Sequence, residues 1–159
     1  MIKAHVKGDL LEYFRSGKVD HMGHVCNLLG VMGAGIAHQI KNQYPRAYDA
    51  YKKFEDDYGL SPGSVSYGKV ASLDLFPDDK KIFNLHAQPT LGAGVNIDYD
   101  ALRDSLKLVE PMIKTGEVVG FPKFMGSALA GGDWNIVEKI IDETFEDRDV
   151  TVIIVEFSK

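Results

Sequence analysis

Apolar and polar positions along the chain change their period several times, and each change marks an element. Residues 2–6 alternate with period two and read as a strand closed by Gly8-Asp9. Residues 10–14 suit either a short strand or a turn of helix. Residues 19–26 read as a strand, residues 36–43 as a helix, and Pro45 suits the first turn of a second helix running to about Tyr58. Tyr48, Tyr51, Phe54 and Tyr58 fall at helical spacing on that second helix and are expected in the core or a groove wall. Residues 64–70 and 81–85 form two further strands, and residues 88–96, rich in Gly and Pro, a loop. Leu102, Leu106, Val109 and Ile113 make residues 98–113 an amphipathic helix with Asp98 or Asp100 near its start. A short buried strand at 118–121, a small-residue loop at 125–132, a helix at 134–145 and an apolar strand at 150–157 complete the chain. The last strand is apolar without interruption, so it is expected to be central and covered on both faces. Strands and helices mixed in this order predict a three-layer α/β/α domain with a mixed central sheet.

Composition narrows the function. The chain has 159 residues, which predicts a single domain over 1–159. Hydrophobic residues at 45% and charged residues at 26% are the balance of a soluble globular protein. A net charge of −5 argues against a nucleic acid polymer as partner, because backbone binding needs clustered Lys and Arg. A nucleotide-sized ligand remains open, since backbone N–H groups hold phosphates without a basic patch. Cys26 is the only cysteine, which leaves no intrachain disulfide and no cysteine-based zinc cage. The start of the chain lacks the apolar core of a signal peptide, and no apolar run approaches the roughly 20 residues that span a bilayer. A cytoplasmic protein without a membrane partner is expected.

Three segments carry candidate chemistry. The first, Asn27-Leu-Leu-Gly30-Val-Met-Gly33-Ala-Gly35-Ile-Ala, joins a strand to a helix beginning near Gly33. Its glycines let a ligand approach the backbone, and the helix start offers unpaired N–H groups to an anion. The glycine order is neither that of a Rossmann dinucleotide loop nor that of a P-loop. A tight turn that only packs helix on strand is the competing reading. The second segment, Pro122-Lys-Phe-Met-Gly126-Ser-Ala-Leu-Ala-Gly131-Gly132-Asp133-Trp134, is another small-residue junction. Two such loops at the carboxyl ends of strands would wall one phosphate cleft. Asp133 is also expected to cap the helix that follows. The third segment is Gly8-Asp9-Leu10, where a carboxylate could accept a hydrogen bond from a base amine or serve only in a turn.

On the pieces VKGDLLE, HVCNLLGVMGAGIAHQIKNQYPRAYDAY and FPKFMGSALAGGDW, the chain resembles a macro domain over nearly its whole length. It is most similar to the branch holding the ADP-ribose-1″-phosphate phosphatases and the terminal ADP-ribose glycohydrolase type. The resemblance implies ADP-ribose or ADP-ribose-1″-phosphate as ligand, an ADP-ribosylated protein as a further partner, and no cofactor. Asp9 would hold the adenine amine with Leu10 beside it, and Asn27, next to Cys26, would contact the distal ribose. Met32, Gly33, Ala34, Gly35, Ile36 and Ala37 would hold part of the diphosphate and the distal ribose through backbone N–H groups. Gly126, Ser127, Ala128, Leu129, Ala130 and Gly131 would close over the other side. The second loop departs from the G-C-G usual in this branch, reading Gly126-Ser127-Ala128. The glycohydrolase type uses a Lys after its fifth strand and an Asp in the second loop, where this chain aligns Gln88 and Ala130. Neither replaces a Schiff-base amine or a carboxylate base, which argues against that lyase-like route.

The implied activity is hydrolysis of ADP-ribose-1″-phosphate to ADP-ribose and phosphate, with a non-catalytic reader or removal of ADP-ribose from modified proteins as alternatives. Asn27 would orient water or ribose, and His24, His86 and Asp133 are the candidate proton carriers. Ser127 as a nucleophile lacks an adjacent base. No H-x-x-x-H or H-x-E grouping points to a metal.

Overall fold

A computed structural model describes residues 2–70, 80–91, 94–127 and 131–158. Its elements follow in the order β1 (Ile2–Gly8), α1 (Leu10–Ser16), β2 (His21–Asn27), α2 (Gly35–Gln43), α3 (Pro45–Tyr58), β3 (Val65–Val70), β4 (Lys80–Gln88), α4 (Tyr99–Val109), β5 (Val118–Pro122), α5 (Trp134–Phe145) and β6 (Thr151–Phe157). The six strands form one sheet in the order β1-β6-β5-β2-β4-β3, parallel throughout except for the antiparallel pair of β3 with β4.

Local chemistry explains the element boundaries. Residues 10–14 are helical because Asp9 caps them, its Oδ1 accepting from the N–H groups of Leu11 and Glu12, and because Gly17 ends the turn at φ 84°. Asp98 caps α4 through a 3.0 Å bond from the Ala101 N–H. The helix expected over 98–113 stops at Val109 and tightens into a 3-10 turn, Glu110–Met112, that contains Pro111. Tyr51 of α3 is fully buried, whereas Tyr58, at the end of that helix, is 78% exposed and belongs to neither core nor groove.

Helices cover both faces of the sheet. Leu102, Leu106 and Val109 of α4 and Val137, Ile140 and Phe145 of α5 pack on Phe83, Leu85, Phe121 and Ile154. On the other face, Leu10, Leu11 and Phe14 of α1, Ile40 of α2 and Ala47 of α3 cover Met22, Ile82 and Val155. This is the α/β/α fold the sequence predicts, with one correction. The last strand, β6, lies one place from the edge, and β4 is the strand buried almost throughout. β6 is apolar because α5 and α1 still cover its two faces; sheet position and burial are separate properties.

Candidate functional site

The site follows from where the chain turns away from itself. After β2 the chain runs through α2 and α3 toward β3 and β4, while after β5 it runs through α5 to β6 on the opposite side. Strands β2 and β5 pair only at His21–Val119 and Met22–Gly120, then part toward their carboxyl ends. Adjacent strands whose connections leave in opposite directions open a crevice. Here it is a cleft of about 700 Å³, walled by the ends of β2, β4, β5 and β6 and by the loops after β1, β2, β4 and β5.

One end of the cleft lies beyond β1, β6 and β5. Asp9 and Leu10 line it, the Asp9 carboxylate spending Oδ1 on the cap of α1 while Oδ2 has no hydrogen bond to the described residues. Phe157 sits level with Gly8 in the sheet register and is 63% exposed, and Phe124 is 43% exposed; both rings line the cleft. Sequence reasoning singled out neither ring, because Phe157 reads as the last residue of a core strand. The signal available was its position beside Asp9 once β1 and β6 are paired.

At the other end stands the glycine loop. The Asn27 amide organises it: Nδ2 donates to the Val31 carbonyl at 2.7 Å, and Oδ1 accepts from the N–H groups of Leu29 and Val31 at 3.0 and 3.3 Å. Gly30 has φ 80°, and a Cβ there would collide with the Glu55 carboxylate, so a side chain at this position is strained. Lys52 ties the same corner, reaching the Gly30 carbonyl at 3.2 Å and Glu55 at 2.6 Å. Helix α2 begins at Gly35, between the start near Gly33 and the stretch from Ile36 that the sequence suggests, and Ala34 provides no side-chain cap. The N–H groups of Gly35, Ile36 and Ala37 therefore meet no acceptor among the described residues, and no acidic side chain occupies this first turn. Gly33, Ala34, Gly35, Ile36 and Ala37 all line the cleft; Met32 does not, its side chain packing instead against Cys26 and Tyr51.

Behind the loop runs a buried polar chain. His24 Nε2 donates to Asn84 Oδ1 at 2.8 Å, and Asn84 Nδ2 donates to Ser66 Oγ at 3.0 Å. Ser66 in turn donates to His86 Nε2 at 2.9 Å, and His86 Nδ1 donates to Ser64 Oγ at 2.7 Å. Both rings are thus neutral, with the tautomers assigned by the network. Burial lowers the His24 pKa to about 4, and burial together with His24 does the same for His86. His24 lines the cleft with Cys26 at its side, whose thiol burial pushes up. His86 does not: it lies one strand farther out, under Tyr51 and Phe54 of α3, the Phe54 ring centroid 5.1 Å from its own.

The second loop is placed in part. Pro122, Lys123, Phe124, Met125 and Gly126 line the cleft; Ser127, Gly131 and Asp133 do not. Ser127 Oγ donates to the Phe124 carbonyl, and Asp133 caps α5 by accepting from the Asn135 N–H at 2.9 Å. A Cβ on Gly131 would collide with the Gly94 carbonyl, so Gly131 packs on residues 94–95 and does not line the cleft. Ala128, Leu129 and Ala130 lie outside the described residues. Gln88 lines the cleft at the end of β4, its Nε2 donating to the Thr90 carbonyl. Among the described residues, Asp9 and Lys123 are the ionised side chains that line the cleft, and no three His, Cys, Asp or Glu side chains gather as a metal site.

No family model matches the chain. It is 27% identical to an uncharacterised 17.5 kDa protein of the tk-vs intergenic region of Enterobacteria phage T4, with 96% of each chain covered. It is 30% identical to the DNA ADP-ribosyl glycohydrolase of Mycobacterium tuberculosis over 92% of this chain, and it spans only 40% of that protein's length. The ADP-ribose 1″-phosphate phosphatase of Scheffersomyces stipitis is 25% identical, with 94% of this chain and 98% of that protein covered. Among solved structures, the macrodomain of Mycobacterium tuberculosis DarG superimposes with a TM-score of 0.76 at 25% identity, covering 98% of both chains. Likeness of both sequence and fold, sustained from one end of the chain to the other, leaves one assignment: the chain belongs to the macro domain family.

Proposed function

We propose that the cleft binds ADP-ribose and that the protein hydrolyses ADP-ribose-1″-phosphate to ADP-ribose and inorganic phosphate, in the cytoplasm. The observation that carries the reading is the pairing of two unlike ends in one cleft. Three N–H groups at the start of α2 lack acceptors, which suits a diphosphate. The other end offers a carboxylate with a free oxygen and exposed aromatic rings, which suits an adenine. Asn27 and Gln88, at the ends of neighbouring strands, would then flank the distal ribose. Water would add to the phosphorus as its bond to the 1″ oxygen breaks, and a proton of that water would pass to the departing oxygen, giving ADP-ribose and inorganic phosphate. Burial keeps the His24 ring neutral and the Cys26 thiol protonated near neutral pH, so orientation and backbone N–H groups would supply the rate.

Removal of ADP-ribose from a modified macromolecule is the second reading. It is favoured by exposed Leu29, Val31, Leu91 and Val95 on the loops after β2 and β4, a rim with no side-chain cation to meet a phosphate dianion. The named activity of the mycobacterial relative agrees with it, for a protein of which this chain spans 40%. Three substrates run in parallel decide: ADP-ribose-1″-phosphate, a glutamate-linked ADP-ribosylated protein and ADP-ribosylated DNA. Phosphate release from the first supports the phosphatase; ADP-ribose release from either of the others supports the second reading. Tight ADP-ribose binding with no turnover of any of them would leave a binding module.

A further inference from the structure

The loops after β2 and β4 border the glycine-loop end of the cleft, and hydrogen bonds hold both in place. The Leu28 N–H donates to the Gln88 carbonyl at 2.9 Å, so the loop after β2 leaves the sheet against the end of β4. The Asn27 amide then accepts from the N–H groups of Leu29 and Val31. In the loop after β4, Thr90 Oγ1 donates to Asn96 Oδ1 at 2.7 Å and ties together the two arms that carry Leu91 and Val95. Gly131, from the loop after β5, packs against residues 94–95. On these braced backbones the side chains of Leu29, Val31, Leu91 and Val95 are all exposed. Val31 and Leu91 line the cleft, and Leu29 and Val95 stand outside it. Scattered exposed apolar side chains are ordinary, but a set of them on fixed loops at the mouth of one cleft is a surface for contact.

Charge decides what that surface takes. The three loops carry no lysine or arginine over residues 28–37, 89–98 and 124–133. Lys52 of α3, which reaches the Gly30 carbonyl, is met by Glu55 at 2.6 Å, and Lys123, at the root of the third loop, faces Glu156 at 3.7 Å. A nucleic acid held by its ADP-ribose would bring phosphates to this mouth, and phosphates are met by side-chain cations. A polypeptide brings apolar side chains and an uncharged backbone. We infer that the rim of Leu29, Val31, Leu91 and Val95 docks the polypeptide around an ADP-ribosylated residue, taking the apolar side chains that flank it. This rests on the reading that the cleft binds ADP-ribose with its distal ribose toward Asn27 and Gln88. A residue attached to that ribose then emerges between the two loops.

Binding without turnover tests this. The probes are free ADP-ribose and ADP-ribose joined at its 1″ carbon, through a stable aminooxy link, to three carriers: a peptide with leucine and valine flanks, the same peptide with serine flanks, and a short single-stranded oligonucleotide. The wild type should bind the apolar peptide about tenfold tighter than free ADP-ribose, since partial burial of a few apolar side chains, less the cost of ordering the peptide, is worth that much. The serine-flanked peptide and the oligonucleotide should gain nothing. The Leu29→Ser, Val95→Ser double variant should lose the gain and bind free ADP-ribose as the wild type does, because neither side chain lines the cleft. Equal affinity of the wild type for ADP-ribose and the apolar peptide would overturn the inference and leave ADP-ribose binding in place. An oligonucleotide bound more tightly than ADP-ribose, with an affinity that falls steeply with salt, would assign the rim to nucleic acid and overturn it too. So would a double variant that keeps the full preference for the apolar peptide. A wild type that binds no ADP-ribose would refute the proposed function, and this inference with it.

Discussion

The Tyr51 hydroxyl of α3 lies 2.5 Å from the Asn27 carbonyl oxygen and 2.9 Å from the Asn27 side-chain Oδ1. One buried phenol therefore fixes the residue that in turn fixes the glycine loop. Burial holds that hydroxyl protonated, so it remains a donor across the ordinary pH range. Tyr51→Phe should cost about 1–2 kcal/mol of stability, the loss of a buried donor whose acceptors stay behind. It should also weaken ADP-ribose although Tyr51 does not line the cleft. Chemical denaturation and calorimetry on the same preparation check this; unchanged affinity would show that the loop holds its shape without the phenol.

The same bonds alter what is expected of Asn27. An amide used only to orient water or ribose would, on removal, lower turnover and spare binding. Because this amide makes three bonds within the loop, Asn27→Ala should lower affinity and kcat together. Steady-state kinetics beside equilibrium binding separates the cases, and a loss confined to kcat would return Asn27 to a purely chemical role.

Two glycines of the loop should respond differently. A Cβ on Gly33 meets nothing within 4 Å, so Gly33→Glu should fold and yet abolish ADP-ribose binding by setting a carboxylate against a diphosphate. Gly30→Ala should instead destabilise the fold by about 1–2 kcal/mol, through its positive φ and the Glu55 contact. Circular dichroism with titration reads both, and a folded Gly33→Glu that still binds would reduce the loop to a packing turn.

Asp9 has two duties that a pair of substitutions can separate. Asp9→Ala loses the cap of α1, about 1 kcal/mol, as well as any contact with a base. Asp9→Asn keeps a capping oxygen but loses the charge. If Oδ2 accepts the adenine amine, both variants should lose discrimination between adenine and hypoxanthine ligands, while only Asp9→Ala loses stability. Full discrimination retained by Asp9→Ala would confine Asp9 to capping.

Acid should unfold this protein early. His24 and His86 are neutral in the fold, their pKa values lowered from 6.5 to about 4. The unfolded chain takes up their protons first, so the stability they contribute is complete above about pH 6.5 and is lost as pH falls toward 4. For fully buried His24 the loss is about 3 kcal/mol at most. Urea midpoints between pH 7.5 and 4 should fall steeply for the wild type and less steeply for His24→Gln. Parallel curves would assign the acid sensitivity to carboxylates instead.

Much of the molecule was determined by neighbours in sequence. Asp98 and Asp133 before apolar helical repeats, Pro45 at a helix start and the apolar run at 150–157 each act within a few residues, so these elements could be read directly, whereas the helix capped by Asp9 was too short to tell from a strand. The unpaired N–H groups after the glycine loop were legible for the same reason, since a helix start that follows a strand and a glycine-rich turn is a local feature. Only the tertiary structure decided which of these faces the cleft. His24 and His86 look alike as histidines near strand ends, yet β2 borders the crevice and β4 lies one strand beyond it under α3, so one lines the cleft and the other is sealed. Phe124 and Phe157 are distant in sequence and line the same cleft because β5 and β6 are neighbours in the sheet. Strand order and register arise from burial of the whole sheet between two helical layers, a many-body balance that no short window of residues contains.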